Sequence, residues 1–121
     1  MKGESTHGYA SSWLSLALSE HAEQAALAIR VAEEVLTLYK NGRVFVGIAQ
    51  LALARAYMHD GAVDAAEQAA RAAQLHLAPT PPLQLGAHAQ LVNILLARGQ
   101  RQEVRQAAAE ATARLQALDG V

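Results

Sequence analysis

The sequence predicts an all-α protein built from antiparallel helix hairpins. Hydrophobic residues make up 52% of the 121 residues and aromatic residues only 4%. Most of the hydrophobic residues are alanine and leucine, which favour helices, whereas strands are richer in β-branched and aromatic residues. Residues that form turns divide the chain into pieces of helical length. Six helices joined by short loops are expected to pack as antiparallel neighbours.

The first hairpin is predicted from helical periodicity. Residues 1–8 are polar and are expected to form a flexible lead. A first helix is predicted over 9–18. Ser19 is a suitable N-cap for a second helix that reaches Tyr39, because serine oxygens accept hydrogen bonds from free N–H groups at helix starts. Apolar residues recur at three- and four-residue steps along this second helix, and Asn41-Gly42 ends it.

Glycine and proline delimit the other four helices. A third helix is predicted over 43–59 and a fourth over 63–77, with Asp60-Gly61 as the turn between them. Prolines in the segment 78–82 cannot continue a helix but suit the start of the next one. A fifth helix is predicted over 82–98 and a sixth over 101–118. The result is one domain over 9–121, with hairpins at about 9–40, 43–78 and 82–118.

The sequences of the second and third hairpins resemble each other when the chain is aligned with itself so that Gly61 pairs with Gly99. The same offset pairs residues at positions that a helix hairpin is expected to bury: Leu53 with Leu91, Tyr57 with Leu95, Ala66 with Val104, Ala70 with Ala108, and Ala73 with Ala111. Repetition with a period of this length is typical of helical repeat proteins.

The segment from Leu53 to Gly61 resembles the end of the first helix and the turn of a tetratricopeptide repeat. Small residues in the following helix match that family's pattern: Ala66, Ala70 and Ala73. The resemblance implies a right-handed α-α superhelix of about three hairpins, like the repeats of large bacterial signalling and regulatory proteins. Residues 85–118 match the pattern less well, and 9–39 lack its turn glycine. An ordinary six-helix bundle remains the alternative.

The resemblance also implies a function, because the first helix of each hairpin in this family lines a concave groove that binds a protein or peptide. It maps this groove onto Ile48, Leu51, Arg55, Met58 and His59 in the second hairpin, and onto Ala89, Asn93 and Leu96 in the third. Arg55 and Asn93 are suited to hold a peptide carboxylate or backbone. The alternatives are a core position for the aliphatic residues and a salt bridge to an acidic neighbour for Arg55.

A second hypothesis is a self-associating structural fragment of a longer helical solenoid or regulatory protein. The first predicted helix carries Trp13 and Leu14 with little polar cover. An exposed apolar end of this kind favours association. We therefore consider a homodimer through the N-terminal hairpin.

No residue pattern indicates catalysis. No two of the five histidines have the four-residue spacing that directs two imidazoles at one metal ion, and a glycine-rich phosphate loop is missing. No nucleophile with a nearby base can be identified. The sequence therefore predicts a protein that is not an enzyme and has no cofactor or metal site.

Charge and hydropathy exclude other classes. Ten basic and eleven acidic residues leave no basic excess for nucleic acid. No apolar run approaches the length of a membrane span. Cysteine is absent, which is compatible with a reducing compartment. We therefore expect a cytoplasmic protein without nucleic-acid or membrane partners.

Overall fold

The computed structural model describes residues 2–99 and 101–119, which form six α-helices and no strand. The helices are α1 (Lys2–Leu18), α2 (Ala25–Leu38), α3 (Arg43–His59), α4 (Val63–His76), α5 (Pro81–Arg98) and α6 (Arg101–Asp119), with a 3₁₀ turn at Ala22–Gln24 before α2. The predicted all-α class with six helices is confirmed. Met1 of the predicted lead and residues 120–121 of the predicted domain lie outside the described residues.

Helix α3 is the centre of the fold. Each helix packs against the next one in the chain, and α3 also packs against α1 and α5. Four helices therefore contact α3, which buries apolar or small residues around its circumference: Val46, Gly47, Ile48, Ala49, Leu51, Ala52, Leu53, Ala54 and Ala56. A helix that is apolar on all sides is stable only when neighbours cover all sides.

The second and third hairpins keep the offset seen in the sequence. The start of α5 follows the start of α3 by the same interval that separates the starts of α6 and α4. The turn glycines are equivalent as well, because Gly61 has φ of 76° and Gly99 has φ of 74°. This left-handed backbone favours glycine, which has no side chain to clash.

The equivalence of the two hairpins fails within α6. Ala70 of α4 is fully buried, whereas Ala108 is exposed and Ala107 is buried in its place. Helix α4 packs between α3 and α5, but α6 packs mainly against α5. The expectation that Ala108 occupies a buried position is therefore wrong, because no further helix of the described chain covers that side.

The first helix begins earlier than predicted, at Lys2 instead of residue 9. Gly8 lies inside this helix and is buried. A Cβ atom there would lie 2.9 Å from the ring of Phe45 and 3.2 Å from Tyr39. The rings of Tyr9 and Phe45 stack edge to face at 4.3 Å. Close contact with this aromatic group extends the helix through a segment whose composition resembles a loop.

Ser19 does not cap the second helix, which begins at Ala25. Its hydroxyl donates to the carbonyl of Leu16 at 2.6 Å. Ser12 and Ser15 make equivalent bonds to the carbonyls of Tyr9 and Ser12, and all three serines are fully buried. The fully buried side chains of this segment are therefore small, and their hydroxyls are satisfied locally, which lets α1 approach its neighbours closely. Leu16 and Leu18 pack beside them and are partly buried.

We predict that Gly47→Ala destabilises the protein. A Cβ at Gly47 would lie 2.7 Å from both Cγ and Cδ2 of Leu77, which is fully buried, and 3.1 Å from Cβ of His76. We expect the free energy of unfolding to fall by about 1–3 kcal/mol, as is typical of overpacked cores.

Gly86→Ala is the matched control, because Gly86 also lies inside a helix but its Cβ would meet only Leu51, at 3.8 Å. We expect this substitution to stabilise the protein by up to about 1 kcal/mol, the gain in helix propensity. Urea unfolding followed by circular dichroism measures both effects. Equal changes in the free energy of unfolding for the two variants would show that Leu77 does not pack tightly against α3 at Gly47.

Candidate functional site

A cavity of about 400 Å³ lies between the end of α1, the last turns of α3 and the middle of α5. Three non-consecutive helices thus form its walls. The lining residues are Ser19, Glu20, Arg55, Met58, His59 and Gln90. Five of the six carry polar side chains, and Met58 contributes a flexible apolar one. The composition suits a ligand that has both hydrogen-bonding groups and an apolar part.

A hydrogen bond from α3 fixes the edge of this cavity. His59 Nε2 lies 3.1 Å from the carbonyl oxygen of Ser19, at the end of α1. A carbonyl only accepts, so Nε2 carries the proton and donates it. Nδ1 of a neutral His59 is then an acceptor. The bond joins the C-terminal end of α1 to α3, and the position of Glu20 depends on it.

The guanidinium of Arg55 brings a positive charge to the cavity, and the carboxylate of Glu20 a negative one. The Nη1 atom of Arg55 lies 3.9 Å from Oε1 of Glu20, and the two side chains are 31% and 62% exposed. A long, exposed ion pair contributes little stability. The carboxylate of a ligand that approaches Arg55 more closely can therefore displace Glu20 at a small cost in free energy.

The structure brings together three of the residues predicted for the groove, Arg55, Met58 and His59. It contradicts the prediction for Ile48 and Leu51, which are 0% and 2% exposed and pack in the core. Ile48 and Leu51 are covered from several sides, because they pack in one cluster with Ala73 of α4, Leu77 and Ala87 of α5. The predicted alternative for Arg55, a salt bridge to an acidic neighbour, is also present.

On α5 the predicted residues are exposed but do not line the cavity. Ala89 and Asn93 are exposed, and Leu96 is 57% exposed. Gln90 lines the cavity instead, one residue after Ala89. Ser19 and Glu20 were also missed as site residues, because the sequence placed both at the start of a helix. In the structure, Ser19 and Glu20 belong to the turn after α1, and this turn places them next to α3.

Trp13 and Leu14, predicted for self-association, are 45% and 51% exposed. Within residues 8–18, the part of α1 whose side chains the structure describes, the exposed residues include no charged one: Tyr9, Ala10, Trp13, Leu14 and Ala17. The exposed surface that the hypothesis requires is present. Self-association itself stays a prediction.

A second polar group, which the sequence did not reveal, surrounds His88 of α5. His88 is 2% exposed. Arg114 of α6 donates from Nε to Nε2 of His88 at 2.7 Å. The side-chain amide of Gln74, on α4, lies 2.6 Å from Nδ1. Since Arg114 is always a donor, Nε2 must accept, and the neutral ring then carries its proton on Nδ1. The atom of Gln74 nearest to Nδ1 is the amide nitrogen, so a hydrogen bond from Nδ1 requires the amide to be turned with its oxygen towards the ring.

Both ring nitrogens of His88 are therefore occupied, so the residue ties α4 to α6 and is not placed to bind a ligand. Burial lowers the pKa of His88, and the positive charge of Arg114 lowers it further. The negative charge of Glu110, whose carboxylate lies 3.9 Å from Nδ1, acts against these two effects because it raises the pKa of His88. Protonation would oblige Nε2 to donate, which is incompatible with the bond from Arg114.

A smaller cavity of about 120 Å³ lies between α4, α5 and α6. Arg71 lines it and forms ion pairs with both Glu67, at 3.0 Å, and Glu103, at 2.7 Å. Two carboxylates thus neutralise this arginine, whereas Arg55 faces one distant carboxylate. The larger cavity is the better candidate for a ligand.

In the part of the chain that the structure describes, no three histidine, cysteine or acidic residues converge as metal ligands. The described helices also include none with the length and hydropathy of a membrane span. Comparisons with protein-family models, curated proteins and solved structures give no significant match for this chain.

We predict that His88 makes stability depend on pH. The ring has its ordinary pKa of 6.5 in the unfolded chain and a lower pKa in the folded one. Below pH 6.5 the unfolded state binds the proton first, so the free energy of unfolding falls as pH drops towards the folded pKa.

Urea unfolding at a pH above the ordinary histidine pKa and at successively lower pH tests this effect. The His88→Gln variant should lose part of the dependence over this range, and His21→Gln, which alters an exposed histidine, should keep all of it. If wild type and His88→Gln show the same dependence, His88 is not held neutral by its surroundings.

Proposed function

We propose that this protein binds a peptide segment of a protein partner, and that a carboxylate of the peptide occupies the cavity at Arg55. The observation that carries the proposal is the cavity itself, which is open to solvent between three non-consecutive helices and contains a weakly paired guanidinium. Its volume of about 400 Å³ lies at the small end of ligand sites. It is suited to one or two residues of a peptide.

The chemistry of the lining residues supports a carboxylate ligand. Arginine binds carboxylates through paired N–H donors, and such charge-assisted bonds are stronger than neutral ones. The amide of Gln90 can donate or accept, and Nδ1 of His59 can accept from a peptide N–H. Met58 can adapt to an apolar side chain next to the carboxylate.

The arrangement of helices supports an extended ligand. Helices α1 and α5 both pack against α3, so the first helices of the three hairpins are neighbours. Exposed residues continue from the cavity along α5: Ala89, Asn93 and Leu96. We propose that these helices line the concave side of a right-handed superhelix resembling tetratricopeptide repeats. A longer peptide would then extend from Arg55 towards Asn93.

A random peptide library with free C-terminal carboxylates tests the proposal. Peptides selected on the full chain are titrated into ¹⁵N-labelled protein, and we expect amide shifts at Glu20, Arg55–His59 and Gln90. Arg55→Ala should weaken binding by about 10- to 100-fold, the size of effect for losing a charged hydrogen bond.

The control is Arg105→Ala, which removes an exposed arginine of α6 outside the cavity. It should leave the affinity unchanged. Selection of no peptide, or shifts confined to other helices, would refute the proposed site. Equal losses in Arg55→Ala and Arg105→Ala would indicate attraction by net charge alone.

We further predict that Glu20→Gln strengthens binding of the selected peptides. Glu20 competes with the peptide carboxylate for Arg55 and repels it. Its removal should improve affinity by about 3- to 10-fold, in keeping with the small free energy of exposed ion pairs.

Glu23→Gln is the matched control, since it makes the same change in net charge at an exposed residue outside the cavity. Isothermal titration at low salt compares both variants with wild type. A weaker complex with Glu20→Gln would mean that Glu20 itself holds the peptide.

A further inference from the structure

The outer side of α2 carries a stripe of exposed residues with a leucine at each end and two opposite charges between them. Leu27 and Leu38 lie at its two ends and are 40% and 59% exposed. Arg30 and Glu34 lie between them and are exposed. Steps of three and four residues place all four on one side of the helix. The order is therefore apolar, positive, negative, apolar.

The two charges of this stripe are not used inside the chain. Among the residues that the structure describes, no ion pair or side-chain hydrogen bond involves Arg30 or Glu34. The neighbouring Glu33 lies on the other side of α2, where its charge adds to the effect of burial in raising the pKa of Tyr57 of α3. The stripe therefore faces away from the second hairpin.

Helix α1 adds apolar surface beside the stripe. Leu18 of α1 packs with Ala25 and Ala28 of α2. Leu14 lies one helical turn before Leu18, on the same side of α1, and is 51% exposed. A helix at the end of a protein is expected to bury apolar residues and to expose polar ones to water. Helix α1 has the reverse arrangement. Among residues 8–18, the fully buried side chains are those of serines, and the exposed ones are uncharged and mainly apolar.

We propose that this outer face of the first hairpin binds a second copy of the chain about a two-fold axis, with the two α2 helices antiparallel. An axis passing near residue 32 places Leu27 against Leu38 of the second copy, and Arg30 against Glu34 of the second copy. A two-fold interface must be complementary to itself. The stripe meets this condition because reversing its direction exchanges the two leucines and the two opposite charges.

The expected dimer is weak. A face two helices wide and about 20 Å long lies at the small end of specific interfaces. We therefore expect dissociation in the micromolar range. The proposal is independent of the cavity at Arg55, which lies on α1, α3 and α5.

Charge reversal tests both the interface and its direction. Sedimentation equilibrium of the full chain over about a hundredfold range of concentration should show wild type passing from monomer to dimer mass. Arg30→Glu places two glutamates opposite each other, and Glu34→Arg does the same with two arginines. Each variant alone should dimerise at least about 30-fold more weakly, since opposed like charges are costly at interfaces.

An equimolar mixture of the two variants should regain the wild-type affinity. In a mixed dimer each glutamate faces an arginine of the other chain. The single variants test the direction, because a parallel arrangement would already oppose like charges in wild type and a single reversal would not weaken it. Because both residues are exposed, circular dichroism should show unchanged helicity. Arg105→Glu controls for net charge and should dimerise like wild type. Arg55→Ala alters the proposed peptide site and should also dimerise like wild type, which separates the two surfaces.

The proposal is overturned if wild type stays monomeric at all concentrations, which would leave the face to some other occupant. It is also overturned if both single variants dimerise as well as wild type, or if the mixture remains monomeric.

Discussion

The rest of the structure depends on the enclosure of α3 by four helices. Each of these helices must approach closely, and small residues on α3 make that approach possible. Gly47 lies where Leu77 leaves no room for a Cβ, and Ala49, Ala52, Ala54 and Ala56 are fully buried. In an interior packed as densely as a crystal, the size of these residues decides the distances between helices. The same enclosure excludes Ile48 and Leu51 from any groove.

The polarity of α1 follows from the same requirement for close packing. Serine is nearly as small as alanine, and each buried hydroxyl bonds to a carbonyl three residues earlier. The helix can therefore bury serines without leaving a polar group unsatisfied. Two of its larger residues, Trp13 and Leu14, remain on the outside, while Leu16 and Leu18 pack against the core. An apolar surface on the first hairpin is thus a direct consequence of how α1 packs.

Both candidate surfaces arise at the ends and edges of this packing. The cavity at Arg55 forms where α1 and α3 end side by side, with α5 on the other side. The stripe on α2 forms because no described helix covers the outer side of the first hairpin. At the opposite end, the contact of His88 with Arg114 and Gln74 ties α6 to the body of the protein. The two ends are therefore stabilised in different ways.

The sequence by itself determined the helix content, the loops after position 40 and the repeat that pairs Gly61 with Gly99, because glycine, proline and helical periodicity act locally. It also placed Arg55, Met58 and His59 on one helix face. Only the tertiary structure decided that Ser19 turns towards His59, that Gln90 and not Asn93 lines the cavity, and that Gly8 belongs to a helix. Each of these depends on contacts between residues far apart in the chain, such as Gly8 with Phe45, and the local sequence carries no signal of such contacts.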